Sequence, residues 1–413
     1  MATGSRQPRP DPRGPGLTRP GRRPPVTPAE AKLGAAIAKQ LRAAGPSSGA
    51  LVYDLGQRAE VFGARAAIGR PPASVEKLWT TVALLRTLGP RARLHTVVVG
   101  AGNQRGGVWH GDLYLRGGGD PTFGDAGFNR FYNFGYGPTP TQLANQLRAH
   151  GIRRVTGHVI ADESLFDRHR GGLLTGQLVD VPDFEGQLSA LTYDHGTIVA
   201  HYSPATFAAQ ALAWAMGRAG IQAPASKRVG DAPRHGRVLA VVSSPPMSTM
   251  IRLMNVRSDD LFAESFAKQL GSRFAHSGTL GAGARVIART IAGAYHLRPT
   301  ILDGSGLSRQ DRTSPAQIVD LLRDVWQTST GDQLTTSLPV VGVNGTVRGI
   351  ALKTPAAGHC LAKTGTLDNI TNLAGYCHAR GGHQLAFALF VDGPANGPAF
   401  WLESKMLAAI ASY

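Results

Sequence analysis

The spacing of apolar and polar residues along this chain predicts two groups of elements, one at each end, with a long stretch of different rhythm between them. Residues 31–44 carry apolar side chains at helical spacing and stop at Gly45-Pro46, which predicts a short amphipathic helix. Strand-like runs at 50–54 and 59–62, with Gly56 in the turn, predict a hairpin. Pro71-Pro72-Ala73 then lead into a helix expected over 74–88 and closed by Gly89-Pro90. Its residues Val75, Leu78, Trp79, Val82, Leu84, Leu85 and Leu88 surround most of the axis, so the helix should be buried rather than superficial. At the far end, strands are expected at 359–366, 371–378 and 384–391, followed by a helix over 400–411. Two early strands and three late ones would make a five-stranded antiparallel sheet flanked by the terminal helices, an α/β fold.

The intervening stretch, roughly 92–240, alternates strands, loops and helices of its own and reads as an inserted domain. That divides the chain into a tail (1–28), a split domain (29–91 with 241–413) and the insertion (92–240). Within the insertion, 143–151 and 212–220 share a helix-then-Gly-Ile rhythm, a weak internal repeat.

Composition narrows the classes. Of 44 basic residues against 27 acidic ones, giving a net charge of +17, only eight are lysine, so arginine dominates. A basic surface could meet nucleic acid or an anionic cell envelope, but no nucleic-acid-binding motif is present and the largest basic run lies in the tail. No stretch approaches the roughly 20 apolar residues of a membrane span. Residues 1–28 are rich in Pro, Gly and Arg, which predicts disorder, and contain no apolar run resembling a secretion signal. The two cysteines, Cys360 and Cys377, exclude a disulfide-dense scaffold and a Cys-rich zinc site, and the 13 histidines form no helical ligand pair. Neither metal nor cofactor is expected. A two-residue turn at Asp368-Asn369 would set Cys360 opposite Cys377. Two unpaired thiols in a sheet core are the simpler expectation, and a disulfide is open to them in an oxidising compartment.

Nucleophilic attack on an amide needs a hydroxyl, a base within reach, a proton donor for the leaving amine and an oxyanion site. Ser74-Val75-Glu76-Lys77 offers the first two, because residues three apart on a helix share a face. Burial would help keep that lysine neutral, and a helix N-terminus favours developing negative charge. A Ser-x-x-Lys is common by chance, and a second copy, Ser265-Phe266-Ala267-Lys268, reads as an ordinary exposed helix pair. The first copy has company: Ser258-Asp259-Asp260, and Lys363-Thr364-Gly365-Thr366 on an expected strand, follow it in order. Gly365 would let a substrate backbone approach the strand edge.

These three motifs are those of penicillin-binding proteins and class A β-lactamases. On them, the chain resembles the D-alanyl-D-alanine carboxypeptidase/endopeptidase family, the class C low-molecular-mass penicillin-binding proteins. Residues 72–78 resemble its nucleophile helix, and 111–115 running into 118–122 its characteristic strand and turn. Residues 303–308 and 362–366 fit as well. The 184 positions separating Ser74 from Ser258 distinguish this class from compact β-lactamases. The resemblance implies a transpeptidase/β-lactamase-like domain interrupted by an inserted one. It implies Ser74 as the acylated nucleophile, Lys77 as its base and Ser258 as a proton relay. Lys363 and Thr364 would hold the substrate's terminal carboxylate, with the N–H groups of Ser74 and Thr366 as the oxyanion hole. Peptidoglycan stem peptides ending in D-Ala-D-Ala would be the substrate, β-lactams the inhibitors, and the outside of the cytoplasmic membrane the workplace. One departure stands out: the family's second motif ends in Asn, and here Asp260 takes that substrate-binding position. Two other readings stay open, a β-lactamase or esterase of the same fold, and a non-catalytic peptidoglycan-binding relative. The 303–308 loop is expected to be a tight glycine turn with no catalytic step, and Glu76 and Asp259 to be structural or solvated.

Overall fold

The structure is a computed structural model that describes residues 26–171, 186–197, 199–224 and 226–413. The expected disordered tail therefore lies, up to residue 25, outside the described residues.

Helix α1 (Pro28–Ala44) starts in a capping box in which Thr27 and Glu30 satisfy each other's backbone N–H. Strands β1 (Gly49–Asp54) and β2 (Ala59–Ala64) form the hairpin. A 3₁₀ turn over Ala73–Glu76 leads into α2 (Lys77–Thr87). Next come β3 (His95–Arg105), β4 (Val108–Arg116), α3 (Ala126–Tyr132), α4 (Pro140–Ala149), β5 (Arg154–Val155), β6 (Val159–Asp162), α5 (Pro204–Arg218) and β7 (Arg237–Ser243). The chain then runs through α6 (Met247–Arg257), α7 (Asp260–Ala275), α8 (Leu280–Tyr295), α9 (Pro315–Val325) and α10 (Ser329–Ser337). Strands β8 (Cys360–Leu367), β9 (Ile370–His378) and β10 (Gln384–Asp392), then α11 (Asn396–Ala411), close the sequence.

The main sheet has the order β2-β1-β10-β9-β8, antiparallel throughout, which is the five-stranded sheet expected from the two ends of the chain. Strand β10 shows why it sits in a middle layer. Leu385, Phe387, Leu389 and Val391 join one apolar cluster with Leu33 and Ile37 of α1 and Met406 and Ile410 of α11. Ala386, Ala388 and Phe390 join another, with residues of α2, α6, α7, α8 and α9. A period of two sends alternate side chains to opposite faces, so a strand apolar at every position must be covered on both. Helix α2 is buried from Lys77 through Leu85, as its all-round apolar pattern predicts.

A second sheet, ordered β5-β4-β3-β7 with β6 also on β4, carries its own apolar cluster with α4 and α5. The weak repeat has a spatial counterpart: two residues beyond the end of α4 and of α5 stands a glycine of positive φ, Gly151 at 82° and Gly220 at 74°. The segments that follow lie side by side, Val155 N–H donating to Gln222 O at 2.8 Å.

Turn geometry sets Leu367 opposite Ile370 and Cys360 opposite Cys377, the register anticipated from the two-residue turn. The two cysteines form a disulfide, which corrects the expectation of free thiols. Paired in register with Cα atoms 4.0 Å apart, the two side chains leave the sheet on the same face.

Candidate active site

Ser74 is not on an α-helix. It lies in the 3₁₀ turn ahead of α2, and Ala73 before it holds a left-handed φ of 48°. A non-glycine residue there is strained, and surrounding structure has to hold it. Three contacts do so. Asn372 on β9 donates through Nδ2 to Pro71 O at 3.0 Å and Pro72 O at 2.9 Å. Gly306 (φ 87°) comes against Ala73 O so closely that any side chain would clash. A Cβ at Gly365 would stand 2.5 Å from Pro72 O and 3.1 Å from Ser74 N, so this glycine lets β8 pack directly on the turn.

The tighter turn still brings the Ser-x-x-Lys pair together. Lys77, with none of its side chain exposed, donates to Ser74 Oγ at 2.8 Å, Asp260 Oδ1 at 2.5 Å and Ser305 O at 2.8 Å. The amine is thus enclosed by three acceptors. The 303–308 loop, expected to be a bare turn, thus supplies one of the lysine's partners. Asp303 ties that loop down by accepting from the N–H groups of Ser305, Gly306 and Ser308. Asp260, anticipated near Lys77 because it stands where an Asn was expected, touches it directly.

Ser258 caps the C-terminus of α6 with φ 63° and ψ 32°, again left-handed. Fully buried Lys363 on β8 donates to Ser258 Oγ at 2.6 Å and to Thr364 O at 2.8 Å. Burial pushes the Lys363 amine well below the ordinary lysine value, nearby Lys77 lowers it further, and Asp260 acts the other way. The Thr364 hydroxyl donates to Thr346 Oγ1 at 2.7 Å, a partner that no motif announced. Thr366 is exposed at the end of β8, the edge strand of the sheet. A cavity of about 740 Å³ opens alongside, lined by Tyr132, Phe134, Arg252, Arg257, Thr346 and Arg348 among others.

Beneath the site lie buried carboxyls. Glu76 is fully buried with neither oxygen hydrogen-bonded, and burial pushes it far up, helped by Asp311 and Asp303. Asp259 is buried rather than solvated. The second Ser-x-x-Lys is corrected too: Ser265 and Lys268 are buried, not exposed. Lys268 turns from Ser265 to Asp167 Oδ1 at 2.5 Å and His169 O at 2.7 Å.

A serine–lysine pair at the head of a buried helix, facing a second serine–lysine pair beside the edge of a five-stranded antiparallel sheet, defines a serine acyl-transfer enzyme of the transpeptidase/β-lactamase-like fold. Solved structures agree on the fold. Penicillin-binding protein 4 (dacB) of Haemophilus influenzae superposes with a TM-score of 0.77 at 18% identity, covering 91% of this chain and 99% of that one. The penicillin G acylated endopeptidase Bd3459 of Bdellovibrio bacteriovorus superposes at 0.51 and 17%, covering 88% of each. In sequence, the carboxypeptidase DacB of Mycolicibacterium smegmatis is 32% identical over 93% of this chain and 84% of its own length. The D-alanyl-D-alanine carboxypeptidase of Actinomadura sp. strain R39 is 27% identical over 89% and 82%. The D-Ala-D-Ala carboxypeptidase 3 (S13) family matches residues 29–198 and 179–410, and the chain belongs to it. It is therefore a serine peptidase of the carboxypeptidase type.

Proposed function

We propose that this protein removes the terminal D-alanine from peptidoglycan stem peptides through an acyl-enzyme on Ser74. The observation that carries the reading is the facing arrangement of two hydroxyl–amine pairs, Ser74–Lys77 at 2.8 Å and Ser258–Lys363 at 2.6 Å. Ser74 Oγ attacks the carbonyl carbon of the penultimate residue and Lys77 takes its proton. The N–H groups of Ser74 and Thr366 stabilise the oxyanion, an arrangement supported by the close packing of Gly365 on Ser74 N. As the C–N bond breaks, Ser258 passes a proton to the leaving D-alanine amine. Lys363 and Thr364 hold that residue's carboxylate, with Asp260 and Gly365 flanking the bound chain. Water then hydrolyses the ester. A β-lactam, with an amide of the same shape, acylates the same serine and leaves slowly. The cavity beside Thr346 gives the rest of the stem peptide room.

The same reading divides the chain into a catalytic domain (29–91 with 241–413) and an inserted domain (92–240). It also sets the enzyme outside the cytoplasmic membrane, where its substrate is. No helix among the described residues is long and apolar enough to cross a membrane.

The decisive experiment is labelling with a fluorescent penicillin, followed by mass spectrometry of the labelled peptide. A single long-lived adduct on Ser74, absent from Ser74→Ala, is expected, together with D-alanine release from a peptide ending in D-Ala-D-Ala. Labelling that survives Ser74→Ala sinks the reading. Rapid turnover of penicillin would make the protein a β-lactamase, and peptidoglycan binding without labelling would make it a non-catalytic relative.

A further inference from the structure

The residues on either side of Ser258 are both held by the stretch between β3 and β7. Tyr132, the last residue of α3, donates its hydroxyl to Asp259 Oδ2 at 3.0 Å. Its ring lies under the guanidinium of Arg257, 4.3 Å from the ring centre, and Phe134 lies 4.9 Å from the same group. His195 Nε2 is 3.0 and 2.9 Å from the two oxygens of Asp259. The imidazole also packs at 4.6 Å on Tyr132 and at 6.0 Å on Phe262. His195 and Asp259 are both buried, 3% and 2% exposed. Burial pushes the Asp259 carboxyl up, but His195 and the bonds from Phe262 N–H and Tyr132 outweigh it and hold the group below its ordinary range.

Capping does not account for this arrangement. As N-cap of α7, Asp259 needs only the bond it accepts from Phe262 N–H at 2.9 Å. The two further partners come from more than 60 positions away in sequence, and one of them also stacks on Arg257. Between the two gripped residues, Ser258 holds a left-handed φ of 63° that its side chain does not favour. His195 itself has a φ of 59°, so strain on one side of the contact faces strain on the other.

We propose that Tyr132 and His195 are positioning residues that clamp Arg257 and Asp259 and thereby hold the Ser258 hydroxyl against Lys363. The clamp gives the inserted segment a part in the reaction although none of its described residues hydrogen-bonds to the Ser74 side chain. It rests on the reading that Ser258 relays a proton during acyl transfer, and it acts only through that residue.

The test compares the full-length enzyme with Tyr132→Phe, which keeps the ring on Arg257, and His195→Asn, which tolerates a positive φ. Both are also made in a Ser258→Ala background. Acylation by a fluorescent penicillin is timed, and D-alanine release from a peptide ending in D-Ala-D-Ala gives kcat and KM. Each single variant should acylate about tenfold more slowly, since small misplacements of a reacting group cost rate steeply. The loss should fall on kcat, with KM changed less than about twofold. In the Ser258→Ala background neither substitution should slow acylation further. Equal rates in native and variant enzymes overturn the clamp, and so does an undiminished loss in the Ser258→Ala background, which marks a general structural role. Failure of the native enzyme to label at all overturns the functional reading instead, so the two failures are distinct. Should His195→Asn not fold, Tyr132→Phe, which loses one hydroxyl, decides alone.

Discussion

Lys77 shows how much of this site is settled by single acceptors. Two of its partners, Ser74 Oγ and Ser305 O, are neutral, and the third is the carboxylate-bearing Asp260 at 2.5 Å. The carboxylate accepts from Lys77 but brings no donor that a substrate carbonyl could use. An Asn at this position would keep an acceptor for Lys77 and add a donor for a substrate carbonyl. Asp260→Asn should therefore acylate faster, by up to about tenfold, the worth of one added hydrogen bond to the substrate. The check is the rate at which a fluorescent penicillin acylates the two proteins side by side. A slower variant would give Asp260 a positive role of its own and refute the donor argument. Lys268 shows the opposite case: the same Ser-x-x-Lys spacing, but with Asp167 and a carbonyl nearby its amine never meets Ser265. Spacing makes such a pair possible, and the neighbours decide whether it forms.

At the scale of elements, the 303–308 loop sits on a cluster of buried acids that make its stability depend on pH. Burial, with the charge of Asp303 adding to it, pushes Glu264 up to about 8 and Asp311 up to about 9. In the unfolded chain both titrate near pH 4. From there up to the folded values the native state binds more protons than the unfolded one, so stability is greatest at the acid end and falls as pH rises. Each group contributes at most about 1.4 kcal/mol per pH unit to that fall. Thermal midpoints should thus drop between pH 6 and pH 8, and Glu264→Gln, whose amide does not titrate, should flatten the drop. Identical slopes in both proteins would exclude Glu264 as a source. The β8–β9 hairpin carries a second device. Its disulfide joins residues 17 positions apart, and closing a loop of that size in the unfolded chain stabilises by about 3 kcal/mol. Replacing both cysteines by alanine should lower the denaturant midpoint accordingly, and an unchanged midpoint would show that the sheet alone sets the register.

Across the whole molecule, the two sheets are joined by buried polar contacts as well as apolar ones. Lys268 of α7 is fully buried, its burial lowers its proton affinity, and Asp167 is its carboxylate partner across the junction. Removing one partner of such a pair leaves a charge without compensation. Asp167→Ala should cost about 3 kcal/mol, the low end for a buried pair because the aspartate is 24% exposed. With this pair and the Asp259 contacts both bridging the units, calorimetry of the native protein should show one unfolding transition. Asp167→Ala should lower it, and a lower-melting component appearing on its own would show that the units unfold independently.

Much of this was legible in the order of residues. Strand-like runs bounded by turn residues at each end of the chain predict the five strands. The apolar girdle of α2 predicts its burial, and the Asp368-Asn369 turn predicts the register that sets Cys360 against Cys377. These are local properties, fixed by backbone periodicity and turn length within some twenty residues. The three motifs also named Ser74, Lys77, Ser258 and Lys363 without any structure. What the sequence could not determine is which groups they meet. That Ser258 pairs with Lys363, 105 positions on, and Lys77 with the Ser305 carbonyl, 228 positions on, follows from how helices and sheet pack. So does the 3₁₀ turn at Ser74, which Asn372, Gly306 and Gly365 hold in place of the α-helix that pattern alone suggests. Tyr132 and His195 carry no motif at all, and only the tertiary fold brings them to Asp259. Periodicity encodes which face of an element is buried, whereas a hydrogen bond between distant side chains exists only once both faces have met.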